Sequence, residues 1–308
     1  MSMEWLKAYK EYLKDEKRAK KKAERGARVK TAGAYIVFAA SFILFAGIIL
    51  LTVNLLQKIQ TGGTGKKLIM ETAAVSGEAT LIRTPLGKNI LINAGEEAVD
   101  LLKEKQIKKI DRLFITFPYK RNLSGVIYLI KSGVSVSWAG ESPHSYKAPH
   151  YESFKALCSS YSISVETLAP GQVIEMEPLL KIQVLGPLRS YAEENDNSLV
   201  LRMVYDRVAV LFAGEISATA EKDLLNYGTS IRSHILKVAN QGKDGSSSPP
   251  FVHLLSPETG IISAPMGVTS DFVNGLLQGF HVNLYRNDIN GRITVITDGV
   301  RYRVKKEI

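Results

Sequence analysis

The apolar run Arg112-Leu113-Phe114-Ile115 leads into Thr116-Phe117-Pro118-Tyr119-Lys120-Arg121-Asn122-Leu123-Ser124-Gly125, a polar loop at the end of a strand. Its phenol, ammonium, guanidinium and amide (Tyr119, Lys120, Arg121, Asn122) suit hydrogen bonding to a polar or anionic group. They are poorly suited to a metal ion, because the guanidinium carries a permanent positive charge and Phe117 has no donor atom. Five histidines exist: His144, His150, His234, His253 and His281. His144 and His150 share the Pro-rich, exposed stretch from Ser142 to His150; they read as a loose metal pair or as surface histidines with no acidic neighbour. The other three read as edge or capped polar residues. No histidine is spaced to activate Ser246-Ser247-Ser248, which reads as a loop. Cys158, the single cysteine, reads as a buried structural thiol in a helix.

Five further stretches share an order with a known family. Leu81 to Gly95 resembles its opening hairpin. Asn195-Asp196-Asn197-Ser198-Leu199-Val200-Leu201 resembles a turn and strand that the family writes NDNSLVLR. Gly214-Glu215-Ile216 resembles its Gly-Asp-Ile. Leu236-Lys237-Val238-Ala239-Asn240-Gln241-Gly242 resembles its LKVPHHG, with Ser246 to Ser248 following, and Arg292 to Val304 resembles its closing strand pair. The chain is thus similar, over about Leu68 to Val304, to the metallo-β-lactamase-fold domain of ComEC-like DNA-uptake channel proteins. The resemblance implies a four-layer α/β-β/α sandwich. It also implies one or two zinc-like ions held by a His-x-His-x-Asp-His loop, a further His, a bridging Asp and a late His. The corresponding positions carry Phe117, Tyr119, Arg121 and Asn122, then Ala239-Asn240-Gln241, Glu215, and Gly267-Val268-Thr269. Only Glu215 can ligate, so the expectation is no catalytic residue, no metal and no cofactor. A vestigial cleft remains, with Tyr119, Lys120, Arg121, Asn122, Asn195, Glu215, Asn240 and Gln241 as candidate ligand-binding residues.

The net charge of +10 is uneven. Residues 1–30 hold eleven Lys/Arg against five Asp/Glu, a net +6, which leaves +4 for the rest. Residues 31–57 contain no charged side chain and are apolar from Ala34 to Leu51, long enough for a helix across a bilayer. This run is too long for a signal-peptide core. The basic flank, Lys17 to Lys30, predicts a cytoplasmic N-terminus and a large domain outside the cytoplasmic membrane. The expected organisation is a basic arm at 1–30, a transmembrane helix at 31–57, a Gly-rich linker at 58–67 and the folded domain at 68–308. Trp5, Leu6, Tyr9, Tyr12 and Leu13 have helical spacing, consistent with a face lying on the inner leaflet or with a solvated tail. A single cysteine excludes an internal disulfide, so packing must hold the fold.

To position the loop, strands are expected at Leu68–Thr72, Ala79–Thr84, Asn89–Ile92, Arg112–Thr116, Ser135–Trp138, Leu180–Leu185, Ser198–Tyr205, Val208–Ala213, Ile235–Val238, Gly260–Ala264, Arg292–Asp298 and Tyr302–Lys305. Helices are expected at Glu96–Gln106, Val126–Lys131, Tyr151–Tyr161, Ala218–Asn226 and Asp271–Leu277. The functional expectation is a membrane-anchored, catalytically inactive binding or scaffold module. Its partners are lipid, a protein, and an anionic polymer such as DNA. The alternative is a metal-dependent hydrolase with a degenerate site, accessory to DNA uptake.

Overall fold

The computed structural model describes residues 11, 14–22, 25, 41–50, 52, 67–73, 78–144 and 146–308. The chain forms two compact units, Met1–Thr61 and Gly62–Ile308. In the first unit, residues 14–22 and 41–50 are helical. Phe42, Ile43, Leu44 and Phe45 are exposed. The expected membrane span at 31–57 lies largely outside the described residues, as do the amphipathic stretch at the N-terminus and most of the linker. Among the described residues no helix is long and apolar enough to cross a membrane.

The second unit holds two mixed sheets. The first contains β1 (Leu68–Thr72), β2 (Thr80–Arg83), β3 (Asn89–Ile92), β5 (Arg112–Ile115), β7 (Trp138–Glu141), β8 (Ser164–Thr167), β16 (Ile293–Thr297) and β17 (Tyr302–Lys306). Its order is β17-β16-β1-β2-β3-β5-β7-β8. The second contains β9 (Val173–Glu177), β10 (Leu180–Gly186), β11 (Val200–Tyr205), β12 (Val208–Phe212), β13 (Ile235–Lys237), β14 (Thr259–Ile262) and β15 (Asn283–Arg286), in the order β15-β14-β13-β12-β11-β10-β9. A two-stranded ribbon pairs β4 (Lys109–Ile110) with β6 (Ser135–Val136). Each sheet is antiparallel on one side, where hairpins connect the strands, and parallel on the other, where helical crossovers do.

Period-two alternation builds the layers. In β3, Ile90 and Ile92 enter the core between the sheets while Leu91 faces outward; in β5, Phe114 points in while Leu113 and Ile115 point out. In the second sheet, Val210 and Phe212 point in and Leu211 out. The outward residues of the first sheet pack under α1 (Glu97–Glu104), α2 (Lys120–Lys131) and α3 (Pro149–Ser160). Those of the second pack under α4 (Ala218–Leu224), α5 (Pro249–Leu255) and α6 (Asp271–Gly279); a short α7 (Asn287–Asn290) precedes β16. Three apolar clusters therefore separate four layers, as the resemblance implies.

The largest correction concerns α2, which begins at Lys120, six residues before the expected Val126. Leu123, Val126, Leu129 and Ile130 form one continuous buried stripe, but the polar first turn and Gly125 disguise its start. Gly125 is required by proximity. A Cβ there would lie 2.0 Å from the Gly95 carbonyl oxygen, and the Gly125 amide donates to the Ala94 carbonyl at 3.0 Å. The expected strand Ser135–Trp138 is divided between β6 and β7, and β4, β8, β9, β15, α5 and α7 were not anticipated. The stretch from Ser142 to His150 is not uniformly exposed: Ser142 and Tyr146 are buried.

These two glycine environments predict opposite outcomes for one substitution. Gly125→Ala should lower stability by about 2 kcal/mol or more, through overpacking against backbone. Gly275→Ala, in α6 with nothing within 4 Å, should raise it by about 0.5–1 kcal/mol. Urea unfolding of the two variants beside the parent measures both.

Candidate functional site

Thr116 follows β5 in one sheet and Glu215 follows β12 in the other, and the two strand ends meet. The Thr116 carbonyl accepts from the Leu199 amide at 2.8 Å. Tyr119 forms the N-cap of α2, so Lys120, Arg121 and Asn122 occupy its first turn. Two cations at a helix N-terminus oppose the peptide dipoles, and that turn contains no acidic residue. Glu215 supplies the missing charge from the other sheet, with Arg121 Nη2 2.9 Å from Glu215 Oε1. The guanidinium also lies 3.9 Å from the Tyr119 ring centroid. The Tyr119 hydroxyl donates to Asn195 Oδ1. Phe117 packs against Tyr119 and Tyr146, with centroids 4.3 and 5.0 Å away.

Glu215 is only 2% exposed. Burial pushes its carboxyl above the ordinary value of 4.5; the Arg121 charge opposes this and Glu78 adds to it. Its Oε2, like Arg121 Nε, has no hydrogen-bond partner among the described residues. Burial, with Glu215 nearby, also raises the Tyr119 phenol, against the pull of Arg121.

A second buried pair stands close by. Lys237, 2% exposed, places Nζ 3.1 Å from Glu78 Oε1. Glu78 Oε2 accepts from Asn93 Nδ2 at 3.0 Å, and the same amide donates to Thr116 Oγ1 at 2.7 Å. The Thr116 amide donates to Asn93 Oδ1 at 2.9 Å. Both buried carboxylates thus already face a cation.

The eight candidate residues do not form one surface. Tyr119, Arg121, Asn195 and Glu215 are linked as described. Tyr119, Lys120 and Arg121 line an open cleft of about 480 Å³ with Glu96, Ser124 and His150. His150 Nε2 lies 2.6 Å from the Pro118 carbonyl, which it serves as donor. Asn122 is fully buried and turned inward: its Nδ2 donates to the Phe117 carbonyl at 3.0 Å, and its Oδ1 accepts from the Glu78 amide at 3.3 Å. It fixes the loop and does not face the cleft. Asn240 and Gln241 are left-handed, with φ of 49° and 58°, and the Asn240 amide donates to the Gly214 carbonyl at 2.9 Å, beside Glu215. The Asn195-Asp196-Asn197 turn is an internal brace. Asp196 accepts from the Ser217 amide and hydroxyl at 2.6 and 2.9 Å, and Asn197 Oδ1 from the Tyr191 amide at 2.9 Å. Ser247 and Ser248 amides donate to the buried Glu221, confirming a structural loop. Glu78, Asn93 and Lys237 were missed; the one sequence signal was a lysine inside the apolar strand Ile235–Lys237. Among the described residues, no group of three or more His, Cys, Asp or Glu side chains is arranged to hold a metal ion.

This geometry belongs to the metallo-β-lactamase fold. It superposes on the diiron β-hydroxylase CmlA from Streptomyces venezuelae with a TM-score of 0.53, at 14% identity over 74% of this chain and 54% of that one. The metallo-β-lactamase-fold protein YhfI from Bacillus subtilis aligns with a TM-score of 0.50, at 10% identity, covering 71% of this chain and 95% of that one. In sequence, the chain is homologous to the ComE operon protein 3 of Bacillus subtilis (strain 168), at 26% identity over 230 residues, 72% of this chain and 27% of the relative. It is also homologous to the competence protein ComA of Neisseria gonorrhoeae, at 27% over 110 residues, 34% of this chain and 16% of the relative. The chain therefore spans roughly a quarter or less of the length of these relatives. No family model matches it.

The Arg121–Glu215 pair sets two expectations. Arg121→Leu, which strands a buried carboxylate, should lower stability by about 3 kcal/mol in urea unfolding at neutral pH. The raised carboxyl of Glu215 makes the folded state the better proton binder. Its stabilising contribution is present below 4.5 and lost as pH rises through the folded value. The stability of the parent minus that of Glu215→Gln should therefore fall as pH rises above 4.5; a flat or rising difference would contradict the assignment.

Proposed function

We propose that this chain is a membrane-anchored, catalytically inactive member of its fold that binds a partner outside the cytoplasmic membrane, through the cleft at Tyr119, Lys120 and Arg121. One observation carries the reading: the only carboxylate at a family ligand position, Glu215, is paired with Arg121 at 2.9 Å. A zinc-like ion does not fit this donor set. It needs about three lone-pair ligands and an open position for water, whereas the loop supplies Phe117, Tyr119, Arg121 and a buried Asn122. The neighbouring carboxylate, Glu78, is likewise neutralised by Lys237. Lys120 and Arg121 line the cleft with charged donors suited to an acceptor-rich partner, beside Tyr119 and His150, and Glu96 is its one carboxylate among the described residues. Supporting the anchor are the uncharged run at 31–57 and its basic flank.

A second reading, a metal-dependent hydrolase with a degenerate site that assists DNA uptake, is favoured by one feature. Glu215 Oε2 is buried without a hydrogen-bond partner among the described residues, so a donor atom is in place. The competence proteins it resembles support the same context.

Metal analysis of the purified, untagged full chain separates the two, together with hydrolysis of a phosphodiester and of DNA in added zinc or manganese. The expected result is substoichiometric metal and no turnover. Stoichiometric metal with turnover abolished by Glu215→Ala would establish the hydrolase.

A further inference from the structure

Hairpin turns from both sheets meet at the end of the sandwich opposite the cleft. In the β2–β3 turn, the Leu86 amide lies 3.3 Å from both carboxylate oxygens of Glu177, at the end of β9, and the Thr84 hydroxyl donates to the same carboxylate. Lys88 Nζ reaches the Met176 carbonyl at 2.7 Å. In the β11–β12 turn, the Asp206 amide donates to the Leu179 carbonyl at 2.8 Å. The Arg207 amide donates to Gly299, in the β16–β17 turn, at the same distance. β1 starts at this end too, because Leu68 pairs with Thr297. Arg207 and Glu215 flank β12 on opposite sides, so this face and the cleft lie at opposite ends of one strand.

The face has a distinctive composition. Leu86 is 61% exposed and Val300 53% exposed, each at the tip of a turn. Around them Lys67, Lys88, Arg207 and Arg301 are exposed. The exposed carboxylates among the described residues here are Asp206, Asp298 and Glu258; Asp298 Oδ1 is already held by the Val300 and Arg301 amides at 2.9 and 2.8 Å, and Glu258 accepts from the Tyr302 hydroxyl at 2.9 Å. Two apolar tips flanked by four cations, with two of the three exposed carboxylates already bonded within the protein, match an anionic lipid surface, where headgroup phosphates pair with the cations and the tips enter the interface. β1 begins at this face, and in sequence only residues 58–67 separate it from the uncharged run, a length of at most about 35 Å if fully extended.

We propose that this turn face, centred on Leu86 and Val300, docks on the anionic lipid headgroups of the membrane that anchors the chain, directing the Arg121–Glu215 cleft away from the bilayer. The inference rests on the anchoring part of the functional reading.

The test uses the full chain in phosphatidylcholine vesicles with and without phosphatidylglycerol. An environment-sensitive fluorophore is attached through Leu86→Cys, Val300→Cys or, at the cleft end, the exposed Lys243→Cys; the native Cys158 is buried. In anionic vesicles, the labels at 86 and 300 should be shielded from iodide roughly five-fold and quenched by doxyl lipid, and the label at 243 should remain open. Combining Arg207→Glu with Arg301→Glu should abolish the lipid contact while the chain still floats with the vesicles. Equal access of iodide to all three labels in a floating chain overturns the docking face alone. A chain that fails to float overturns the docking face and the anchor together, and neither result bears on metal content.

Discussion

The ion pair between Arg121 and Glu215 is the constraint on which the upper end of this domain depends. Each partner belongs to a different sheet: Arg121 to the helix that leaves β5, Glu215 to the loop that leaves β12. A buried ion pair is weak evidence of net stabilisation, because desolvation offsets much of the attraction. Its effect is on specificity. With Glu215 nearly inaccessible to water, any arrangement that parts the two leaves a charge buried alone. The pair therefore sets where the first turn of α2 sits against the second sheet, and offsets cations at a helix start where dipoles disfavour them.

The supporting contacts follow from that placement. With Arg121 fixed, Tyr119 is held between the guanidinium, Asn195 and Phe117. Ser142 Oγ donates to the Asn197 carbonyl at 2.5 Å, again from the first sheet to the second. Beneath, Asn93 with φ of 53° joins Glu78 to Thr116, so the Lys237–Glu78 pair and the loop share one hydrogen-bond network. Most polar atoms in this region have a partner. The exceptions among the described residues, Glu215 Oε2 and Arg121 Nε, fall on the two residues of the pair itself.

How far the fold was legible follows from where each element sits. Interior strands such as Asn89–Ile92 and Val208–Phe212 were visible because burial on both faces writes an apolar run. The unanticipated β8, β9 and β15 are all edge strands, where one side lacks a neighbour and the side chains are largely exposed or half-buried. β17 is also an edge, but its hairpin with β16 gave it away. In the site, the loop, Asn195 and Glu215 could be placed from order and spacing. Asn122 was misread, because an amide beside two cations looks exposed until the fold shows it bonded to Phe117 and Glu78. Glu78 carried no signal, since its role depends on a lysine far away in sequence.

The distribution of charge decides what the cleft can recognise. Glu215 and Glu78 would, if free, make this end acidic and attractive to cations. Arg121 and Lys237 neutralise them from within the protein, at 2.9 and 3.1 Å. Among the described residues, the groups left to face solvent are the Lys120 ammonium, the His150 ring beyond its bond to Pro118, the outer edge of the Arg121 and Tyr119 stack, and one opposing carboxylate, Glu96. A partner rich in acceptors gains charge-assisted hydrogen bonds there, whereas a cation meets lysine and arginine first. A zinc-like ion binds through carboxylates and imidazoles free to donate lone pairs, with a coordination position open to water. The same two pairs that close the sandwich at this end thus also set the sign of the surface it presents.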